Sequence, residues 1–556
     1  MYNVTFKTES GGEVRVKAQS GENILDLAVK NGVAVDAPCS GNGTCGKCRM
    51  RLISGSADTV PSLRLSDAEL REGLRLACRC SVSGDAVFLV PEAASAFKTD
   101  IRTADISSPE ELSRYEKAVA ALFSSGLTPD EEAGFGVAAD IGTTTVTAAL
   151  LRLGTGEVAA RASLGNAQIK YGADVINRII RQSRPGGREA LRAAVLDETL
   201  VPIIESLCTQ AHITPEAIRR VTVAGNTTME HLLVGADAES IRLEPFEPEF
   251  LEYPETPAEV LCIPAASDAP VFLSPNVGSY VGGDITAGVL ASRLTESPEL
   301  TLFIDLGTNG ELVLGNDEFM LCCACSAGPA FEGGEISCGM RATAGAAESC
   351  RIDEKTLTPS FSVIGGGKLA GLCGSGLISV VGELFRCRVI DARGKFIAED
   401  PRVRYDEYGG AAFILAYPEE SATGREITLD ESDIDNFIRA KAAIFSAVRT
   451  MLRSLELEPD CLDRVLIAGG IGSGIDVEKA ISVGMLPRLP MEKFSYIGNT
   501  SLTGACAMLR SKAARERVSE LAQGMTYLEL SNEPGYMDEF VAACFLPHTD
   551  AGLFEE

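Results

Sequence analysis

The chain of 556 residues carries 78 acidic against 50 basic side chains, a net charge of −28. That balance repels nucleic acid and anionic lipid alike, since affinity for either comes mainly from Lys and Arg meeting phosphate, so neither is an expected partner. With 45% hydrophobic and 23% charged residues the composition is that of an ordinary globular protein of several domains; no apolar run is long enough to span a bilayer, and Met1-Tyr2-Asn3-Val4 opens no leader, which predicts a cytoplasmic address.

Tyr2 to Thr8 and Glu13 to Lys17 alternate apolar and polar residues across Gly11-Gly12, a hairpin signal. Glu22 to Lys30 then reads as a helix stopped by Asn31-Gly32, giving the opening of a β-grasp domain. Next comes Cys39-Ser40-Gly41-Asn42-Gly43-Thr44-Cys45-Gly46-Lys47-Cys48, three thiols in a loop whose glycines let the backbone wrap closely. A fourth thiol follows in Leu76-Ala77-Cys78. Seventeen cysteines in a chain expected to stay in a reducing compartment point to metal ligands or core residues before disulfides. Three thiolates from one loop and one from a distance is the plant-type arrangement for a [2Fe–2S] cluster, here with five residues in the first gap. A zinc site also takes four thiolates, but usually on two C-x2-C knuckles, of which only one exists. Cys80 competes with Cys78, because residues two apart on a strand face the same way. The resemblance to ferredoxins, whose fourth ligand follows a Leu-Ala pair, favours Cys39, Cys45, Cys48 and Cys78. The head is expected over residues 1–93.

Residues 94–133 read as a linker rich in Ser, Ala and acids. One helix is predicted inside it, with Ser108 as cap, Pro109 at its first turn, and Leu112, Val119 and Leu122 on one face.

The body, expected over 134–556 in halves of about 134–300 and 301–556, contains two related signals. Val137-Ala138-Ala139-Asp140-Ile141-Gly142-Thr143-Thr144-Thr145 and Phe303-Ile304-Asp305-Leu306-Gly307-Thr308-Asn309-Gly310 are each an apolar strand, an Asp, and a glycine-bearing turn of hydroxyl or amide residues. Such a turn suits a nucleotide phosphate: Gly admits the backbone, N–H and hydroxyl groups donate to phosphate oxygens, and Asp holds Mg²⁺ through water. A single copy is no better than an ordinary hairpin; the repetition is what argues for a clamp. Arg464 to Gly470 adds a buried-type strand ending in Gly469-Gly470, where a flat adenosine can lie on bare backbone.

These three pieces, in this order, resemble the superfamily of acetate and sugar kinases, Hsp70 and actin. The resemblance implies two RNase-H-like halves closing on ATP, with phosphate turns at Asp140, Gly142, Thr143, Thr144 and at Asp305, Gly307, Thr308, Asn309, and adenosine at Gly469 and Gly470. The strings at Asn166–Ile179, Ala224–Leu233, Pro275–Leu290, Cys325–Met340 and Leu372–Ile378 are similar to the reductive activators of corrinoid enzymes, so that the resemblance covers nearly the whole chain. It implies an ATP-hydrolysing reductase that passes one electron from its cluster to cob(II)alamin of a corrinoid protein, restoring Co(I) for methyl transfer. It also implies a ferredoxin or flavodoxin as electron donor, and a homodimer. ATP is needed because a plant-type cluster sits near about −400 mV, and each further 59 mV uphill costs about a factor of ten in the one-electron equilibrium. Some relatives carry a separate middle domain between head and body, and the join leaves room for no more than a helix; relatives serving methylamine methyltransferases carry C-terminal cysteine clusters, absent here, which sets that subfamily aside.

Other classes remain: an electron-transfer adaptor whose body binds nucleotide only as a regulator, and an ATP-driven reductase of another metalloenzyme. ATP turnover with and without a corrinoid protein separates them. Cys322, Cys323, Cys325 and Cys338 read as core residues, the three histidines as structural, and Gly365 to Ala370 as a weak dinucleotide pattern without its βαβ unit. Ser326–Gly334 and Gly278–Gly283 are expected to contact the corrinoid protein, with Ser326 and Phe331 as the residues to change.

Overall fold

The computed structural model describes residues 1–554 except 9–10, 34, 36, 38–40, 42, 44–45, 47, 63–64, 66, 92–108, 125, 131, 308, 334, 406–409 and 471–473. The alternating N-terminal residues form β1 (Tyr2–Thr8) and β2 (Glu13–Ala18), paired antiparallel with Val4 opposite Val16 and Phe6 opposite Val14. Helix α1 (Ile24–Lys30) begins two residues later than the pattern suggests, because the Asn23 side chain caps it by accepting from the N–H groups of Leu25 and Asp26. Strands β3 (Arg49–Thr59), β4 (Leu74–Leu76) and β5 (Cys80–Val90) complete a sheet of order β2-β1-β5-β3-β4. Its central pair β1 and β5 is parallel, and Val4, Phe6, Ile24, Met50 and Phe88 bury between sheet and helix. This is the expected β-grasp.

Helix α2 (Pro109–Ser124) starts at the proline and buries Val119 and Leu122. Its expected cap, Ser108, lies outside the described residues, as does most of the linker before it.

The body repeats one topology twice. Strands β6 (Phe135–Ile141), β7 (Thr145–Arg152) and β8 (Val158–Gly165) form an antiparallel meander. Parallel strands β9 (Ile218–Gly225) and β11 (Pro270–Leu273) extend it, and β10 (Thr256–Pro257) closes the edge. The second sheet has the meander β12 (Thr301–Leu306), β13 (Gly310–Gly315) and β14 (Met320–Cys325), then parallel β15 (Arg464–Ala468) and β16 (Phe494–Gly498), with β17 (Met525–Tyr527) beyond β14. In each, the three strands of the meander and the two parallel strands that extend it lie in the order 3-2-1-4-5, the RNase-H-like arrangement, with β10 added at the edge of the first sheet. Buried on both faces, the central strands are near-continuous apolar runs.

Helices α3 (Val175–Gln182), α4 (Thr227–Val234) and α5 (Gly283–Ser292) follow strands of the first sheet or lead out of it, and α6 (Thr500–Arg510) returns from the second. Helices α5 and α6 touch backbone to backbone: a Cβ on Gly504 would sit 2.2 Å from the carbonyl oxygen of Ala287. Thr222 of β9 donates to the Ala505 carbonyl at 2.7 Å, so α6 seats on the first sheet although its sequence follows the second. Val119 and Leu122 of α2 join the same core.

Candidate functional site

In the head, Cys48 stands immediately before β3 and Cys78 in a single 3-10 turn, Ala77–Arg79, between β4 and β5. Their sulfurs are 3.2 Å apart, beyond the roughly 2.05 Å of a disulfide, and both are buried. Asn23, besides capping α1, donates to the Cys78 carbonyl at 2.9 Å, which fixes the turn against the helix. Gly41 has φ +86, and a Cβ there would lie 3.6 Å from Cys78 Cβ and 3.3 Å from Leu25, so Gly41 sits directly on the turn. Cys39 and Cys45 lie outside the described residues. Cys80 is on β5 opposite Thr59, with its sulfur 3.3 Å from the Thr59 hydroxyl and its thiol pushed up by burial. Two buried thiols close together beside Gly41 fit a thiolate-held iron–sulfur cluster.

In the body, Asp140 and Asp305 occupy equivalent places. Asp140 lies on β6 beside Ala224 of β9, and Asp305 on β12 beside Ala468 of β15; in both, the neighbouring strand goes on to a glycine, Gly225 or Gly469. A Cβ on Gly469 would be 2.8 Å from Asp305 Oδ1 and 2.5 Å from the Leu306 carbonyl, so only glycine fits. Gly470 has open space at its Cβ position.

The first turn is held by its carbonyls. Gly142 O accepts from Asn166 Nδ2 at 2.9 Å, Thr143 O from Arg178 Nη2 at 2.5 Å, and Thr144 O from Arg341 Nη2 at 3.0 Å. Because a peptide N–H points opposite to its C=O, the N–H groups that follow face away from these anchors, as an anion-binding turn requires. The Thr143 hydroxyl accepts from Asn226 Nδ2 at 3.0 Å, and the Thr144 hydroxyl donates to Glu332 at 2.5 Å, crossing from one half to the other. Burial of Arg178 lowers its pKa to about 9, opposed by Asp174 and Glu332. In the second turn Gly307 N–H donates to Asn309 O at 3.0 Å; Thr308 lies outside the described residues.

Five acids gather around these turns. Burial, then repulsion from Asp305 and Asp140, pushes Asp284 up to about 8. Burial, then Asp140 and Glu332, pushes Asp305 up to about 7. Glu311 is also driven well upward, by burial first and then Asp284 and Asp305. Asp140 is raised by burial, against hydrogen bonds from Asn499 Nδ2 and Ser501 Oγ, both at 2.8 Å. Such crowding favours a cation in the cleft. Among the described residues no three His, Cys, Asp or Glu side chains are grouped so as to hold a metal ion by themselves.

The description "C-terminal domain of RACo the ASKHA domain" matches residues 299–556, "RACo middle region" 135–297, and "2Fe-2S iron-sulfur cluster binding domain" 7–83. The middle-region match thus falls on the first six-stranded sheet, not on the join. The corrinoid activation enzyme RamQ of Eubacterium limosum is 32% identical over 421 residues, spanning 73% of this chain and 69% of that one. A solved structure of the reductive activator for a corrinoid, iron-sulfur protein covers 100% of both chains at 37% identity and a TM-score of 0.71. The chain belongs to the reductive activators of corrinoid proteins. More distantly, the [Co(II) methylated amine-specific corrinoid protein] reductase of Methanosarcina barkeri is 25% identical over 280 residues, 47% of this chain and 48% of that one. The chain is therefore an ATP-dependent iron–sulfur reductase with a [2Fe–2S] cluster, ATP and Mg²⁺ as cofactors. Among the described residues no helix is long and apolar enough to cross a membrane.

Asp284, Glu311, Glu332, Arg178, Asn499 and Ser501 are absent from the sequence-derived site. The available signals were Gly282-Gly283-Asp284 at a helix start and Asn499-Thr500-Ser501 at another. One expectation fails: Phe331 is 1% exposed, its ring edge-on to Phe437 with centroids 6.0 Å apart, so it is a core residue and not a contact. Ser326 is exposed, but the loop's Glu332 turns back to Thr144. Cys322, Cys323 and Cys325 are buried in β14, as core residues should be, and His231 stacks on Phe250 at 3.9 Å.

Proposed function

We propose that the chain transfers single electrons from the head to cob(II)alamin of its partner, with ATP hydrolysis in the body supplying the drive. The observation that carries this reading is the pair of equivalent Asp turns facing a shared cluster of repelling acids, on one chain with a thiolate site. The cluster ligands are Cys39, Cys45, Cys48 and Cys78. Gly142, Thr143 and Thr144 cradle phosphate from one side, Gly307, Thr308 and Asn309 from the other, and Gly469 and Gly470 bed the adenosine. Asp140 and Asp305 would hold Mg²⁺, which would neutralise phosphate charge when bound. Asp284, opening α5 in the same cleft, accepts the proton of the attacking water, a role its upward-shifted carboxyl suits. A low-potential ferredoxin or flavodoxin returns the electron to the head, in the cytoplasm, and the working unit is a homodimer.

Purified anaerobically, the protein should contain about two iron and two sulfide per chain. With ATP and a strong reductant it should convert the cob(II)alamin spectrum of the partner to that of cob(I)alamin; ATP turnover without that conversion sinks the assignment. Cys78→Ser should abolish the visible cluster spectrum and Cys80→Ser should retain it.

A further inference from the structure

A cavity of about 410 Å³ opens where the two halves meet. Phe246 and Tyr280 supply one wall from the first half, with ring centroids 6.1 Å apart and tilted by 55°. Tyr527 on β17 and Glu529 just beyond it supply the other, and Glu244 stands at the rim. Among the described residues no Lys or Arg lines it. Three aromatic rings and two carboxylates, that of Glu529 also accepting from the Ser531 hydroxyl at 2.8 Å and the Tyr527 hydroxyl at 3.4 Å, make a poor seat for an anion and a good one for a weakly hydrated cation. Burial, and after it the charge of Glu529, pushes the Tyr280 and Tyr527 phenols upward.

The cavity is tied to the nucleotide turn. Its Gly278 carbonyl accepts from the Thr227 hydroxyl at 2.6 Å, and Thr227 follows Asn226, whose amide holds the Thr143 hydroxyl at 3.0 Å. The opposite wall belongs to the second sheet, so the separation of the walls follows the closure of the halves.

We propose that this cavity seats a Lys or Arg side chain of the corrinoid protein, gripped more tightly when ATP closes the halves. The occupant is argued from charge: a chain of net charge −28 that lines an interdomain notch with aromatics and acids selects a basic feature on its partner. The inference rests on the corrinoid protein being the partner and deepens the expectation that Gly278–Gly283 meets it.

The test uses the cluster-loaded full chain and its corrinoid protein, with affinity measured with and without ATP at low and moderate salt. Glu529→Gln and Phe246→Leu should each weaken binding about tenfold in the presence of ATP and leave the cluster spectrum and partner-free ATP turnover unchanged, and Glu529→Gln alone should also flatten the salt dependence. Unchanged affinity in both variants, while the wild type still reduces the corrinoid protein, overturns the cavity assignment alone. A wild type that neither binds nor reduces it overturns the functional reading with it. A shift in the oligomeric state of either variant assigns the cavity to a second copy of the chain and also overturns the proposal.

Discussion

Asp140 and Asp305 sit at matching points of two matching sheets, yet their surroundings differ. Asp140 is clamped: Asn499 and Ser501 both donate to its carboxylate, from the start of a helix that comes from the other end of the body. Asp305 has no such donors among the described residues and faces the bare Gly469 backbone and the fields of Asp140 and Glu332. A repeated motif thus gives one carboxylate that ties the halves together and one left to be satisfied by what binds. The same short sequence serves two ends because tertiary neighbours, not the turn, set the electrostatics.

The largest effect that tests this contrast is on turnover. Asp305→Asn and Asp140→Asn should each lower ATP-dependent reduction on the order of 10²–10³-fold, with the visible spectrum of the head intact. The two should part in thermal unfolding. At position 140 an amide can still accept from Asn499 and donate to the Ser501 hydroxyl, but it exchanges two hydrogen bonds to a carboxylate for two neutral ones, a loss of about 1 kcal/mol. Asp140→Asn should therefore melt lower than the wild type and Asp305→Asn should not. Equal melting of the two variants would break the contrast.

The pH dependence of stability sharpens it. Asp305 is raised from 3.8 to about 7 in the folded chain, so the folded state holds a proton that the unfolded state has lost between those values. Stability from this group is therefore full below 3.8, falls as pH rises through about 7, and is level beyond. Asp305→Asn removes that decline. Without nucleotide it should gain a few kcal/mol on the wild type at about pH 8 and almost nothing near pH 4. Melting curves across that range check the sign. A wild type that grows more stable towards pH 8, relative to the variant, would show that Asp305 is not the destabilised carboxylate.

The difference between the two aspartates was invisible in the sequence, whereas their existence was not. Strand, Asp, Gly and hydroxyl follow one another within a dozen residues, and so do the three loop cysteines, so local order reveals both. The second-sheet glycine turn at Gly469 was legible for the same reason, but its first-sheet counterpart at Gly225 was hidden, because a single glycine before Asn226 carries no signal until Ala224 is seen beside Asp140. Asn499 lies 359 residues from Asp140, and no spacing rule reaches that far. Asp284 belongs to the cleft only because α5 starts there. Phe331 was misjudged because Gly, Ala and Ser around it suggest an exposed loop, while Ala327 and Ala330 in fact seat it in the core.

The smallest effect isolates the clamp itself. Asn499 does two jobs with one amide: Oδ1 accepts from Leu502 N–H at 2.8 Å to cap α6, and Nδ2 donates to Asp140 at 2.8 Å. Asn499→Ala loses both and should cost about 1 kcal/mol of stability, read as a lower melting temperature. Asn499→Ser restores a capping oxygen but is too short to replace the donor, so stability should return towards the wild type while ATP turnover stays several-fold low. If turnover recovered along with stability, the cap alone would explain the residue, and Asp140 would be no more clamped than Asp305.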